Sequence, residues 1–136
     1  MAGIARRPEA GVFACLLAYA AASLLHHVHN AEFLQDYPNL PATLSRGQVY
    51  AAWLVEAALG AAGWMLVRLN YRKTGLAAIG IYAVIGFSGL AHYYVAPVSA
   101  HTLAMNATIW LEAFTASLLL VAALRRMPSR GIFLPG

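Results

Sequence analysis

The stretch "GVFACLLAYAAASLLHHVHNAEF", Gly11 to Phe33, decides the fold. From Gly11 to Leu25 it carries no charged side chain, and the whole run reaches the ~20 residues that a helix needs to cross a bilayer. Its last turns then gather His26, His27, His29, Asn30 and Glu32. Polar groups at the end of a lipid-soluble run must be paired, solvated or functional, because each is costly in hydrocarbon.

Three further runs have the same character, at about Gln48–Val67, Leu76–Val95 and His101–Leu124. The connections "QDYPNLPATLSRG" (35–47), "RLNYRKTG" (68–75) and "APVSA" (96–100) hold turn-forming Pro, Gly and Asn. Composition agrees: 61% of the 136 residues are hydrophobic and 10% charged, against about 25% charged in soluble domains. The expected fold is all-α: a single domain over 1–136, a four-helix transmembrane bundle running up-down-up-down through short connections. No broken helix or inverted repeat is legible, which sets a transporter aside.

Arg6, Arg7, Arg68, Arg72, Lys73, Arg125, Arg126 and Arg130 fall at one set of span ends, and only Arg46 lies at the other. The positive-inside rule then puts both termini in the cytoplasm of a multi-pass cell-membrane protein, of bacterial inner-membrane type. Tyr37, Tyr50, Trp53, Tyr93 and Tyr94 fit an interfacial belt at the outer ends. A rival reading takes the first span as a signal cleaved near Ala22, but its apolar run continues to Val28. The net charge of +4 forms no basic stripe interleaved with aromatics, so nucleic acid is not an expected partner. The lone Cys15 offers neither a disulfide nor a thiolate zinc site.

On a 100° wheel, Ser23, His26, His29, Asn30 and Phe33 share one face of the first span, with His27 to one side and Glu32 to the other. His27 and Asp36 are expected in solvent or headgroups. Span four carries His101, Met105, Thr108, Glu112 and Thr115 on one narrow stripe, with Asn106 off it. Span three groups Ile85, Ser88, Gly89 and His92. Span two groups Ala52, Trp53, Glu56, Gly60 and Gly63, a small-residue strip suited to close helix contact within one copy or in a homodimer. Glu56 and Glu112 fall roughly 12–16 Å in from the outer helix ends, with the imidazoles shallower. The expectation is a polar funnel opening outward.

Imidazole with carboxylate suits zinc, iron or manganese. The expected metal ligands are His26, His29, Glu56, His92 and Glu112, with Glu32, Asn30, His101, Asn106 and Trp53 as secondary candidates. Glu56 and Glu112 are also the candidate catalytic pair. A metal-free alternative is a pocket for a lipid- or sterol-like hydrophobic small molecule, or an isomerase with one glutamate as acid and the other as base. Trp53, Trp110, Phe87 and Tyr93 would line it. A second alternative is a single haem b held by His29, or His26, and His92. Clustered histidines also occur in membrane hydroxylases, which need roughly eight, and this chain has five.

"HNAEF", His29 to Phe33, resembles the motif of the HXXEE family of small integral membrane proteins, with Phe33 in place of the second glutamate. The Pro-containing "YPNLPATLSR" after it fits the same pattern. The resemblance implies a small membrane-spanning fold and His29 and Glu32 as motif positions, and it attaches no reaction.

Overall fold

The computed structural model describes residues 9–127. Arg6, Arg7 and Arg130, used above for orientation, lie outside them. The chain is all-helical: α1 (Ala10–Glu32), α2 (Arg46–Arg68), α3 (Arg72–Ile85), α4 (His92–Val95) and α5 (Leu103–Arg126), with single 3-10 turns at Leu34–Asp36, Ser88–Ala91 and Val98–Ala100. Four segments, with α3 and α4 counted as one, are long and apolar enough to cross a membrane. Their outward faces carry Leu17, Val55, Ile81, Phe114 and Leu118, more than two-fifths exposed. That is the surface of a small polytopic membrane protein, since water would penalise so large an apolar patch.

Local sequence explains where the helices begin. Ser45 caps α2 in a capping box, accepting from the Gln48 backbone N–H at 3.3 Å while the Gln48 side chain accepts from the Ser45 N–H at 2.8 Å. Thr102 caps α5 by accepting from Met105 N–H at 3.2 Å. His101, expected inside the fourth span, therefore stands just before its helix. Asn70 takes a left-handed conformation (φ 69°) in the turn between α2 and α3, which Asn tolerates better than most residues.

The helices close into a ring in which α1 and α3 each pack against both α2 and α5. Gly60 lies against Tyr82 and Gly75 against Val67, so α2 and α3 run antiparallel. A methyl group on Gly60 would stand 2.5 Å from the Tyr82 ring, and one on Gly63 would stand 2.9 Å from Ile79 and 3.0 Å from the Gly75 carbonyl. The Gly60/Gly63 strip thus joins α2 to α3 of the same chain. At the end where the termini enter, Arg72 donates to Glu9 at 2.9 Å and to the Arg126 carbonyl at 3.4 Å.

The interior divides along the bundle axis. Towards the termini the core is apolar: Val12, Leu16, Val67, Leu76, Ile79, Leu119 and Ala123, followed by the Tyr19 and Tyr82 rings, 4.6 Å apart and tilted 56° to each other. Beyond those rings the buried residues include Ser23, His26, His101, Thr108 and Glu112.

The third span departs from expectation. It is not one continuous helix: α3 stops at Ile85, and the chain passes through Gly86 and the 3-10 turn Ser88–Ala91 before α4. Gly86 lies against Tyr19, where a Cβ would meet the ring and hydroxyl at 2.6 Å.

Candidate functional site

Successive residues on a helix point about 100° apart, and α1 lies between α2 and α5. Adjacent histidines therefore address different neighbours: His26 faces α5 and His27 faces α2. His26 is 2% exposed. Thr108 donates its hydroxyl to the Met105 carbonyl at 3.0 Å, so its oxygen accepts from His26 Nδ1–H at 3.3 Å. That fixes the tautomer and leaves Nε2 as the bare nitrogen. It accepts from the Asn30 amide at 3.0 Å and faces Glu112 Oε2 at 3.7 Å.

His27 is set in the same way. Its Nδ1–H donates to the Ser23 carbonyl at 2.9 Å, and Nε2 faces Glu56 Oε2 at 3.8 Å. Glu112 Oε1 stands 4.0 Å from His27 Nδ1. These separations exceed hydrogen-bond length. Glu56 Oε2 and Glu112 Oε2 are buried and have no hydrogen-bond partner.

The break in the third span serves this site. It brings Gly89 backbone against the pair, where a Cβ would lie 2.9 Å from Glu112 Oε2 and 3.4 Å from His26 Nε2. Only glycine leaves that space open. It also turns His92 inward: its Nε2 lies 3.4 Å from the Asn30 amide, its Nδ1 is buried without a partner, and its ring is 5.6 Å from that of His26. His101 follows at 6.0 Å from His92, with Nδ1–H donated to the Pro97 carbonyl at 3.0 Å and Nε2 unpartnered.

A cavity of about 260 Å³ adjoins the cluster, with His27, Asn30, Glu56, Ser88 and His92 on its polar side and leucines of the α1–α2 connection across from them. The expected outward funnel is therefore covered in part by that connection, which Asn39 ties to α4 by donating to the Val95 carbonyl at 2.8 Å. Tyr37, expected in an interfacial belt, is instead 4% exposed, with its ring 4.9 Å from His92. Burial pushes its hydroxyl up to about 12, so it keeps its proton at ordinary pH.

Of the expected ligands, His26 stands beside Glu112, with His92 and Asn30 at the edge of that pair, while Glu56 stands beside His27. His29 does not join them. Its Nδ1 shares a hydrogen bond with the Tyr37 hydroxyl at 2.8 Å, and its ring lies on Phe33. Glu32 is exposed and binds Arg46 at 2.5 Å and the Tyr50 hydroxyl at 2.6 Å. Asn106 is fully engaged, accepting from Tyr93 and donating to the Val98 and His101 carbonyls, and so braces the connection before α5. Trp53 is half-buried with an unpartnered Nε1, and Trp110, expected as a pocket wall, is 54% exposed beside Tyr93. His27, expected in solvent, is the residue the helical wheel misses; the signal for it was its adjacency to His26 on a helix with two neighbours.

The donors meet in pairs. Among the described residues no three His, Cys, Asp or Glu side chains stand ready-made around one point. No protein family, curated protein or solved structure matches the chain, so its function rests on this geometry.

Proposed function

We propose that the chamber binds a transition-metal ion, zinc or iron(II), through His26, His27, Glu56 and Glu112, with His92 and Asn30 at its rim. One observation carries the reading. The unprotonated Nε2 atoms of His26 and His27 face unpartnered carboxylate oxygens at 3.7 and 3.8 Å, and an ion would displace the Asn30 amide from His26 Nε2. Those separations are too long for a hydrogen bond and close to the roughly 3.4 Å that separates two ligands each about 2.1 Å from one tetrahedral ion. Both imidazoles are held by their other nitrogen, His27 through a backbone carbonyl and His26 through Thr108, as metal-ligating histidines commonly are. Glutamate, with three rotatable bonds, is the member able to close the remaining gap. The charge distribution supports an orientation with the chamber near the non-cytoplasmic face: Arg68, Arg72, Lys73, Arg125 and Arg126 lie at the opposite end.

Protein purified in mild detergent, incubated with zinc or iron(II) and desalted, should retain close to one equivalent. His27→Ala and Glu112→Gln should each retain almost none. Wild-type protein that keeps no more metal than these variants would overturn the proposal.

The cavity of about 260 Å³ favours a second reading, a small amphipathic ligand with Glu56 and Glu112 as acid and base. A Soret band would point to haem b instead, although the Tyr37 ring packs against both His29 and His92, the expected axial pair. The HXXEE resemblance adds family membership as a proposal, with its two motif positions placed at the rim and not in the chamber.

A further inference from the structure

The opposite end of the bundle carries a second feature, unrelated to the His/Glu chamber. Along the seam between α1 and α2 runs a groove in two parts. Its mouth, about 420 Å³, is lined by Glu9, Arg68 and Asn70 among others. Its inner part, about 240 Å³, is lined by apolar residues including Leu17, Ala20, Ala57 and Ala61. Phe13 and Trp64 border both parts, their rings stacked at 4.6 Å. The trough exists because the facing positions are alanine and glycine, while Gly60 lets the Tyr82 ring form its floor.

Polarity is graded along this seam. Glu9, the acidic residue of the mouth, is held by Arg72 at 2.9 Å, and Arg68 stands outside that pair. Of the described cations at this end, Arg68 is the one that lines the mouth. From Ala10 to Ala20 the groove follows α1 for about 15 Å, half of the ~30 Å hydrocarbon core and so the depth of one leaflet.

We infer that the α1–α2 groove binds an anionic phospholipid, its phosphate at Arg68 and one acyl chain along the trough past Phe13 and Trp64. A zwitterionic lipid offers the same chain without net negative charge, and a free phosphate offers the charge without the chain. The combination of mouth and trough selects the lipid that has both.

Native mass spectrometry tests this on the full chain in neutral detergent, offered equal phosphatidylglycerol and phosphatidylcholine. Wild type should retain phosphatidylglycerol with roughly fivefold preference, the effect of one cationic contact near the membrane surface. Arg68→Gln should abolish the preference, and Arg68→Lys should keep most of it. Ala57→Phe, which fills the trough, should lower retention of both lipids. Lys73→Gln, outside the groove, should leave the preference intact, and inorganic phosphate should not compete. Equal retention of the two lipids by wild type, an equal loss in Lys73→Gln and Arg68→Gln, or displacement by phosphate would each overturn the inference.

Discussion

The two halves of this bundle solve the problem of burial differently. Towards the termini, α2 and α3 meet through glycines, with Gly63 and Gly75 so close that a Cβ on Gly75 would stand 2.6 Å from the Gly63 carbonyl. Association there comes from packing, as it must where lipid is as apolar as the core. In the other half, α1 and α5 meet across His26, Thr108 and Glu112, and two buried carboxylate oxygens have no partner. Packing alone would not retain such groups, given a cost on the order of 2.5–3.5 kcal/mol for an acidic residue at a helix centre. One half is closed by packing, and the other keeps a His/Glu cluster beside a cavity.

Substitutions should separate the halves. The largest effect belongs to the packed half: Gly75→Leu should prevent assembly, seen as loss of the monodisperse peak in detergent, because backbone and not flexible side chain stands in the way. The smaller Gly60→Ala meets the Tyr82 ring and should cost about 1–3 kcal/mol in a reversible unfolding measurement. Neither prediction depends on metal.

The polar half should respond in the opposite way. His27→Ala should weaken zinc binding at least roughly a hundredfold while leaving the protein folded, by competition with a chelating dye. Gly89→Ala should weaken it less, roughly tenfold, by crowding Glu112 Oε2 and His26 Nε2 without removing a ligand. Smallest of all, His29→Ala should leave zinc affinity unchanged and cost about 1 kcal/mol of stability through the lost bond to Tyr37. A His29 effect as large as that of His27 would move the site to the rim and restore the face the helical wheel favours.

Much of this division was legible in the sequence. Helical periodicity put Glu112, Thr108 and Thr115 on one buried stripe of α5, and length and hydropathy marked all four spans. Glu56 and His26 were placed on inward faces for the same reason. His27 was not, because a wheel treats each helix as having one inner face, whereas α1 touches two neighbours and shows each a different histidine. The break at Gly86–Ala91 was hidden because "GFSGLA" is as apolar as the helix around it, and the Tyr19 ring that packs on Gly86 is 67 residues away in sequence. Tyr37 read as an interfacial group and His29 as a metal ligand, since nothing local says that a connection folds back over the helix ends and pairs the two.

X-ray absorption on zinc-loaded protein would show whether His26 and His27 hold one ion between them. The expected spectrum is a low-coordinate nitrogen/oxygen shell at about 2.0–2.2 Å with the outer-shell scattering of two imidazoles, unchanged in His29→Ala. A spectrum of hydrated zinc without imidazole scattering, or one that loses a histidine when His29 is replaced, would contradict it.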